Sequence, residues 1–515
     1  MSLTFPAKAP QGGALAATQD LTTTIPVLRL AVSTVDPSGA PLPNTTVSLY
    51  SAGAERLVTT GADGRTLAEL TYLAGTTSTS VGYYATAGAL SNSGSLPIAL
   101  EGDGLTEATL TITALRLNAP RWRLGGDPDE QLLTSETMAA VGADGTIYTI
   151  GSFYSQQEGY YQTVASIAPD GAVRWRSPAR MNIGETPDGH AVTVGADGTL
   201  YMSGGLHANS ASYGVLYALN PGDGSQRWRF TSPPGRSYVS KPALAADGTI
   251  YVVMADYQNG GTLYALDPAS GQPIPAKSLG LTMSGYDVRN PAIGSDGTVY
   301  LEGGNQFIAV HEGALLWSYP YGSDCEGTPS IGADGTIYVG LSCASGDYGY
   351  SELIALNPDG TLKWESEAGS DFPPVIGTDG TLYIYQDNRA RLVAINPTDG
   401  RVRWAYEGSG AQRNLPRTLP MIGADGRIYV GTSTGLEFGT GGNLAALSPE
   451  GQLVGSFITE AAPNTYPVMG PDGTVYVMMS DEALLAIPTG SGGLATSPWP
   501  AVYRDSQHSG RAVAQ

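Results

Sequence analysis

The chain has 515 residues, with 26 Lys plus Arg against 47 Asp plus Glu, a formal charge of −21, and 41% of its residues are hydrophobic. That balance excludes nucleic acid and polybasic membrane contact, because phosphate surfaces need clustered cations and the only lysines are Lys8, Lys241, Lys277 and Lys363. No apolar run approaches the roughly 18 residues of a membrane-spanning helix, and at ~150 residues per domain the length predicts two to four domains.

Residues 1–24 are dominated by Pro, Gly, Ala and Thr, which predicts an extended arm. They lack an apolar core behind a cationic end, so no intact secretory signal is read there; a signal removed beforehand and export by another route both stay open. The arm is expected to pin the chain to a larger assembly. Over residues 25–116, short alternating runs such as Val27–Val35 are broken by Pro and Gly turns. This pattern predicts a small antiparallel β-sandwich of Ig-like character. The stretch Asp36–Leu49, with Gly39, Pro41, Pro43, Asn44 and Val47, resembles the prealbumin-like domains of carboxypeptidase tails and bacterial adhesins. The resemblance implies a spacer or interaction module. The Lys–Asn cross-link of some adhesin modules is impossible here, because residues 25–116 contain no lysine.

From residue 117 onward the sequence repeats. The phrase Gly-Ala-Asp-Gly-Thr-Ile-Tyr, in close variants, recurs eight times at intervals of 38 to 53 residues, with its Asp-Gly pairs at Asp144, Asp197, Asp247, Asp296, Asp334, Asp379, Asp425 and Asp472. Asp-Gly between β-branched and apolar runs marks a hairpin, since Gly accepts positive φ and Asp tolerates it. Three residues after each glycine stands a tyrosine: Tyr148, Tyr201, Tyr251, Tyr300, Tyr338, Tyr383, Tyr429 and Tyr476. A ring with a polar tip at that position predicts blade-to-blade packing with a satisfied hydroxyl. A second hairpin follows in most copies, as in Leu216–Trp228 and Leu353–Trp364. Its tryptophan, at Trp175, Trp228, Trp317, Trp364 or Trp404, falls four residues after the turn glycine. Pro275 and Gly455 occupy that slot in two copies.

Four strands per copy and eight copies predict an all-β protein: an eight-bladed β-propeller over 117–515 behind the sandwich. The eighth copy lacks its fourth strand, and an unpaired Trp122 stands as far ahead of Asp144 as Trp175 stands ahead of Asp197. Residues 117–124 are therefore expected to complete the last blade and remove an open edge. These phrases resemble the pyrroloquinoline-quinone (PQQ)-like repeat. The ending Trp499–Gly510 is similar to a segment flanking such repeats, outside the ring, which makes 488–515 a C-terminal flank. The resemblance implies a propeller shared by quinone dehydrogenases and by non-catalytic scaffolds such as the propeller subunit of the outer-membrane barrel-assembly machinery.

The dehydrogenases of that family use a vicinal Cys–Cys disulfide, a Ca²⁺ held by Glu, Asn and Asp, and an Asp base. Here the two cysteines, Cys325 and Cys343, are not adjacent, and the family's long insertions are missing. If Ile331 faces Ile337 across the fifth hairpin, Cys325 lies opposite Cys343, close enough for a disulfide and hence an oxidising destination. Reduced, buried thiols are the alternative. Loops entering the innermost strands carry Glu136, Glu185, Asp287, Asn290, Asp324, Glu326, Asp371, Arg413 and Arg417. Such a mouth suits a cation, a sugar or a protein, or simple solvation. His190, His207, His311 and His508 have no metal-ligand spacing.

The reading is a non-enzymatic structural or binding scaffold outside the cytoplasm or in a large particle such as a virion, with a protein partner and no catalytic, cofactor or metal residues assigned. The alternatives are a dehydrogenase dependent on PQQ and Ca²⁺, and a carbohydrate-binding surface protein.

Overall fold

A computed structural model describes residues 27–512, apart from short stretches of which the longest are 126–136, 180–189, 408–417 and 434–441. The arm expected at 1–24 lies outside the described residues. Backbone contacts divide the chain into two units, Met1–Leu117 and Asn118–Gln515.

In the first unit, alternate side chains of Val27–Val35 are buried, the period-two signature of a strand with one covered face. This strand pairs antiparallel with Arg65–Thr71 and parallel with Leu105–Thr113. A second sheet runs in the order Ala54–Thr59, Thr46–Ser51, Ser78–Ala87, Leu90–Ala99, Leu115–Arg116. Leu28, Leu30, Val32 and Leu110 of the first sheet meet Val47, Leu49, Val81 and Ile98 of the second in one core.

Among the described residues, the second unit consists of eight successive sheets of four or five strands, antiparallel apart from Thr137–Met138, which pairs parallel with His190–Val194. The first contains Ala140–Val141, Ile147–Ser155, Gly159–Ile167 and Val173–Arg176, running from the innermost strand to the outermost. The eighth contains Val468–Met469, Thr474–Met478, Ala483–Pro488 and, as its outermost strand, Trp122–Gly125 from ahead of the first sheet. There Trp122 pairs with Ala486, and the Arg121 N–H donates to the Ala486 carbonyl at 2.8 Å. Apolar clusters fill the spaces between neighbouring sheets. Ile150 and Val164 of the first sheet pack on Val192 and Met202 of the second, and Val468 and Met478 of the eighth pack on Val141 and Ile147 of the first. Sheets stacked face to face, the last against the first, form a β-propeller. Helix among the described residues is limited to one 3-10 turn, Pro275–Lys277.

Each repeated phrase closes the inner hairpin of its sheet. In the first, the Gly142 N–H donates to the Thr146 carbonyl, and Asp144 accepts the Thr146 N–H at 3.0 Å and its hydroxyl at 2.7 Å. Gly145 takes the left-handed conformation, φ 80°, while Asp144 stays out of it. The carboxylate is also tied to its own outer strand. The residue before the tryptophan sits at a bulge in that strand and is Arg174, Arg227, Lys363 or Arg403 in four sheets. Arg227, Lys363 and Arg403 reach Asp197, Asp334 and Asp379 at 3.1, 3.2 and 3.4 Å, and Arg174 reaches Thr146 beside Asp144. Lys277 and Arg121 reach Asp247 and Asp472, and Arg427 reaches Asp425 from within the turn's own hairpin. Burial opposes ionisation of Asp144, Asp197, Asp334 and Asp379. The Thr donors and the cation outweigh it and hold these groups below the usual carboxylate range.

The repeated tyrosines are buried between neighbouring sheets, as expected: Tyr148 packs with Val192 and Leu200 of the second sheet, Tyr383 with Ile422 and Ile428 of the seventh, and Tyr476 with Val141 and Ile147 of the first. Six of the eight also lie on the tryptophan of their own sheet, two strands away, Tyr251 and Tyr429 belonging to the two sheets without one: Tyr338 on Trp364 with ring centroids 5.8 Å apart, Tyr383 on Trp404 at 5.8 Å, Tyr476 on Trp122 at 5.7 Å. A small residue on the strand between them, Ala355, Ala394 or Ala486, leaves room for the rings to meet across it. Burial, and then the nearby aspartate, push the phenols of Tyr338, Tyr383 and Tyr476 up to about 12.

The tryptophan also reaches the next sheet. Its indole N–H donates to a proline carbonyl there: Trp122 to Pro169 at 2.8 Å, Trp175 to Pro221 at 3.1 Å, Trp228 to Pro268 at 2.9 Å, Trp317 to Pro358 at 2.9 Å, Trp364 to Pro397 at 2.8 Å and Trp404 to Pro449 at 2.9 Å. The following turn glycine lies flat under the indole. A Cβ on Gly171 would fall 2.8 Å from the Trp122 ring, so the contact requires glycine.

Candidate functional site: the closed end of the propeller

The inner strands surround the propeller axis, and their outward-facing N–H groups need partners. The segment after Pro488 supplies them. The N–H groups of Val141, Val194, Leu244 and Ile293 donate to the carbonyls of Ser506, Gln507, Ser509 and Gly510 at 2.7, 2.9, 2.9 and 2.8 Å. Those of Ile376 and Ile422 donate to Trp499 and Pro500 at 2.7 and 2.8 Å. The Ser506 hydroxyl donates to the Met469 carbonyl of the eighth sheet, and Trp499, 1% exposed, packs in the cluster shared by the fourth, fifth and sixth sheets. The tail, expected as a flank outside the ring, thus lies across it and is hydrogen-bonded to seven of the eight sheets. Val141, Val194, Ile293, Ile376 and Ile422 each stand immediately before the first Gly of the repeated phrase, a glycine two residues ahead of the Asp-Gly pair. The tail therefore covers the turn end, opposite the loops that enter the inner strands.

The tail holds its shape through Asp505. Its carboxylate accepts the N–H groups of Gln507 and Ser509 at 3.1 and 2.9 Å and the Ser509 hydroxyl at 2.6 Å, and pairs with Arg504 at 2.8 Å. Tyr503, Arg504 and His508 take positive φ of 55°, 81° and 59°, a conformation that non-glycine residues hold only when their surroundings impose it. His508 is buried, and its Nδ1–H donates to the Val192 carbonyl at 3.1 Å. Desolvation, and then the Lys241 ammonium, push this imidazole well below its ordinary 6.5. Lys241, also buried, sits over the Tyr503 ring 3.5 Å from its centroid, and the Tyr503 and His508 rings meet edge to face at 5.7 Å. His508, expected to carry no metal, is a packing residue of this end.

Of the residues expected at the mouth, Glu136, Glu185, Asp287, Asp324, Asp371, Arg413 and Arg417 lie outside the described residues. Asn290 is buried, and its Oδ1 accepts the Lys241 N–H at 2.7 Å, so it ties the inner strands of the third and fourth sheets together. Glu326 stands opposite Ser342 on the strand Cys325–Ile331. Glu302, not singled out in the sequence, is buried and accepts the Gly327 N–H at 3.1 Å across the next seam. Cys325 faces Cys343 in register and the two sulfurs are bonded. They form no vicinal pair. Among the described residues, no three His, Cys, Asp or Glu side chains gather as metal ligands, and no helix is long and apolar enough to cross a membrane.

The family described as outer membrane protein assembly factor BamB matches residues 160–274 and 307–513, well over half of the chain. The chain belongs to the BamB family. Over 251 residues this BamB-family chain is 26% identical to the serine/threonine-protein kinase AfsK of Streptomyces coelicolor, a match covering 45% of the chain and only 28% of the kinase. Among solved structures, it is similar to the rhamnogalacturonan lyase PL11 of Bacillus licheniformis, at 13% identity over 94% of this chain and 93% of the lyase, with a TM-score of 0.41. It is similar also to the periplasmic gluconolactonase PpgL of Pseudomonas aeruginosa, at 13% identity over 70% of this chain and 95% of that one, with a TM-score of 0.36.

Proposed function

We propose that this BamB-family chain is a non-catalytic binding scaffold. In this reading it is an eight-bladed propeller behind a prealbumin-like sandwich, and it offers its rim and open mouth to a protein partner outside the cytoplasm. One observation carries the reading: the chain covers the turn end of its own axis with buried Trp499, Tyr503 and His508 and ties that tail to inner strands around the ring. Recognition is then left to the rim and the opposite mouth. A ring clipped at its seams loses little conformational freedom when a partner binds, which favours affinity. The Cys325–Cys343 bond supports an oxidising destination, whether a cell surface or a large particle. The first unit and residues 1–24 are assigned to attachment.

The test uses the full chain. Loaded with PQQ and Ca²⁺ and offered alcohols and sugars with a redox dye, it is expected to show no turnover. Turnover would make it a quinone- and calcium-dependent dehydrogenase and overturn the scaffold reading. Cross-linking in extracts of the cells that make it is expected to join a protein to the rim or mouth. Retention of a defined glycan alone would instead make it a carbohydrate-binding surface protein.

A further inference from the structure

We propose that the outer strand of the fourth sheet, Ala314–Pro320, is a docking edge for an extended segment that carries a lysine or arginine among aliphatic residues. The proposal deepens the scaffold reading by naming where on the rim a partner sits and what chemistry it brings.

The first argument is the missing guard. Exposed edge strands invite pairing by other chains, and charges normally block it. The outer strands of the first, second, fifth, sixth and eighth sheets all carry charges: Arg174, Arg227, Lys363, Arg403 and Arg123. The fourth, reading Ala-Leu-Leu-Trp-Ser-Tyr-Pro, has none over seven residues, and its Leu315 and Leu316 are 52% and 55% exposed. The seventh sheet's outer strand, Leu453–Thr459, is also uncharged, but Gly455, Phe457 and Thr459 along it are buried. The third's has three residues only.

The second argument is a missing cation. Leu316 stands at the bulge position, between the residues that pair with Val310 and Ala309, where Arg174, Arg227, Lys363 and Arg403 stand in other sheets. Those side chains turn back on their own Asp-Gly turn; Leu316 brings nothing for Asp296. That exposed carboxylate accepts the Thr298 N–H at 3.0 Å and hydroxyl at 2.8 Å. Among the described residues it has no ion pair, whereas the other seven turn aspartates each have a cation on the turn. His311 lies beside the same Thr298 hydroxyl at 3.4 Å.

An edge that lacks a charge and a carboxylate that lacks its cation meet at one place. A segment pairing with Ala314–Pro320 would cover Leu315 and Leu316 with an aliphatic side chain and set a Lys or Arg where Leu316 fails to supply one. A second copy of this chain is the poorer occupant. Two Ala314–Pro320 strands paired together bring two carboxylates to the contact and no cation.

The test is fluorescence anisotropy of the full chain with labelled decapeptides of alternating Thr and Val whose central residue is Arg, Gln or Glu. The Arg peptide is expected to bind at least about tenfold more tightly than the Glu peptide. Leu316→Arg, which refills the bulge and charges the edge, is expected to abolish binding while the melting temperature holds or rises. Asp296→Asn is expected to bring the Arg and Gln peptides to equal affinity. Equal binding of Arg and Glu peptides, or binding that survives Leu316→Arg, overturns the proposal. So does sedimentation showing dimers that Leu316→Arg dissolves, which would give the edge to a second copy. Quinone-dependent turnover would sink the scaffold reading without touching this result.

Discussion

The six seams closed by a tryptophan differ from the two that lack one. At a tryptophan seam, burial of the indole, its stacking on the tyrosine and one hydrogen bond to a proline carbonyl act at the same spot. Between the third and fourth sheets the 3-10 turn Pro275–Lys277 takes the tryptophan's place. Lys277 there pairs with Asp247 of its own sheet at 3.0 Å and with Glu312 of the next at 3.1 Å. Between the seventh and eighth sheets Gly455 leaves the slot empty, and the start of the tail stitches the turns instead. The Thr489 hydroxyl donates to the Gly473 carbonyl at 2.6 Å, the Ser491 hydroxyl to Asp425 at 3.3 Å, and the Ala424 N–H to Gly493 at 2.8 Å. A seam needs some fixed contact beyond its apolar cluster, and at six of them the tryptophan supplies it. Of the other two, one combines the buried hydrogen bond from the Lys241 N–H to Asn290 with a partly exposed ion pair, and the other relies on a segment far away in the chain.

The sharpest way to break the contrast is to remove the tail. Deleting residues 489–515 takes away the hydrogen bonds to seven inner strands, the buried Trp499 and the stitch at the last seam. The expected result is a lower melting temperature and fast hydrogen exchange at the Gly473 and Asp425 turns; slow exchange there would show that the seam does not rely on the tail. Next comes Trp364→Ala. Trp364 is 8% exposed and carries both the Tyr338 contact and the Pro397 bond. Its loss is expected to cost about 3–5 kcal/mol in urea unfolding. Ala355→Val overfills the gap between Tyr338 and Trp364, with an expected loss of about 1–3 kcal/mol by the same assay. The smallest effect belongs to Lys277→Met at the seam without tryptophan. Its partner Glu312 is 60% exposed, so less than ~1 kcal/mol is expected, falling further as salt rises.

What was legible in the sequence follows from the same contrast. Asp144, Tyr148 and Trp175 stand at fixed offsets within one short phrase, and eight near-copies make such offsets conspicuous. The stacking of the tyrosines on the tryptophans was not legible, because it depends on register across three strands. Seeing Tyr338 meet Trp364 over Ala355 requires the pairing of the third strand as well as the first hairpin. The missing cation beside Asp296 was open to inspection in the aligned copies, as Leu316 against Arg174, Arg227, Lys363 and Arg403. It has no meaning until the bulge shows where that side chain points. The tail occurs once, so no second copy revealed which of its residues turn inward. The role of Asp505 and the burial of His508 come only from its path across the sheets. Most of the expected mouth residues lie outside the described residues, and Asn290 belongs to a seam.

The most direct measurement of the central claim is a disulfide trap across the last sheet. Arg123 and Leu485 are partners in the pairing of Trp122–Gly125 with Ala483–Pro488, so the double variant Arg123→Cys, Leu485→Cys should bridge when oxidised. Non-reducing peptide mapping is predicted to recover one peptide pair joining 123 to 485 in a monomeric, cooperatively melting chain. Two free thiols at those positions in a folded chain would mean that the strand ahead of the first sheet does not close the ring.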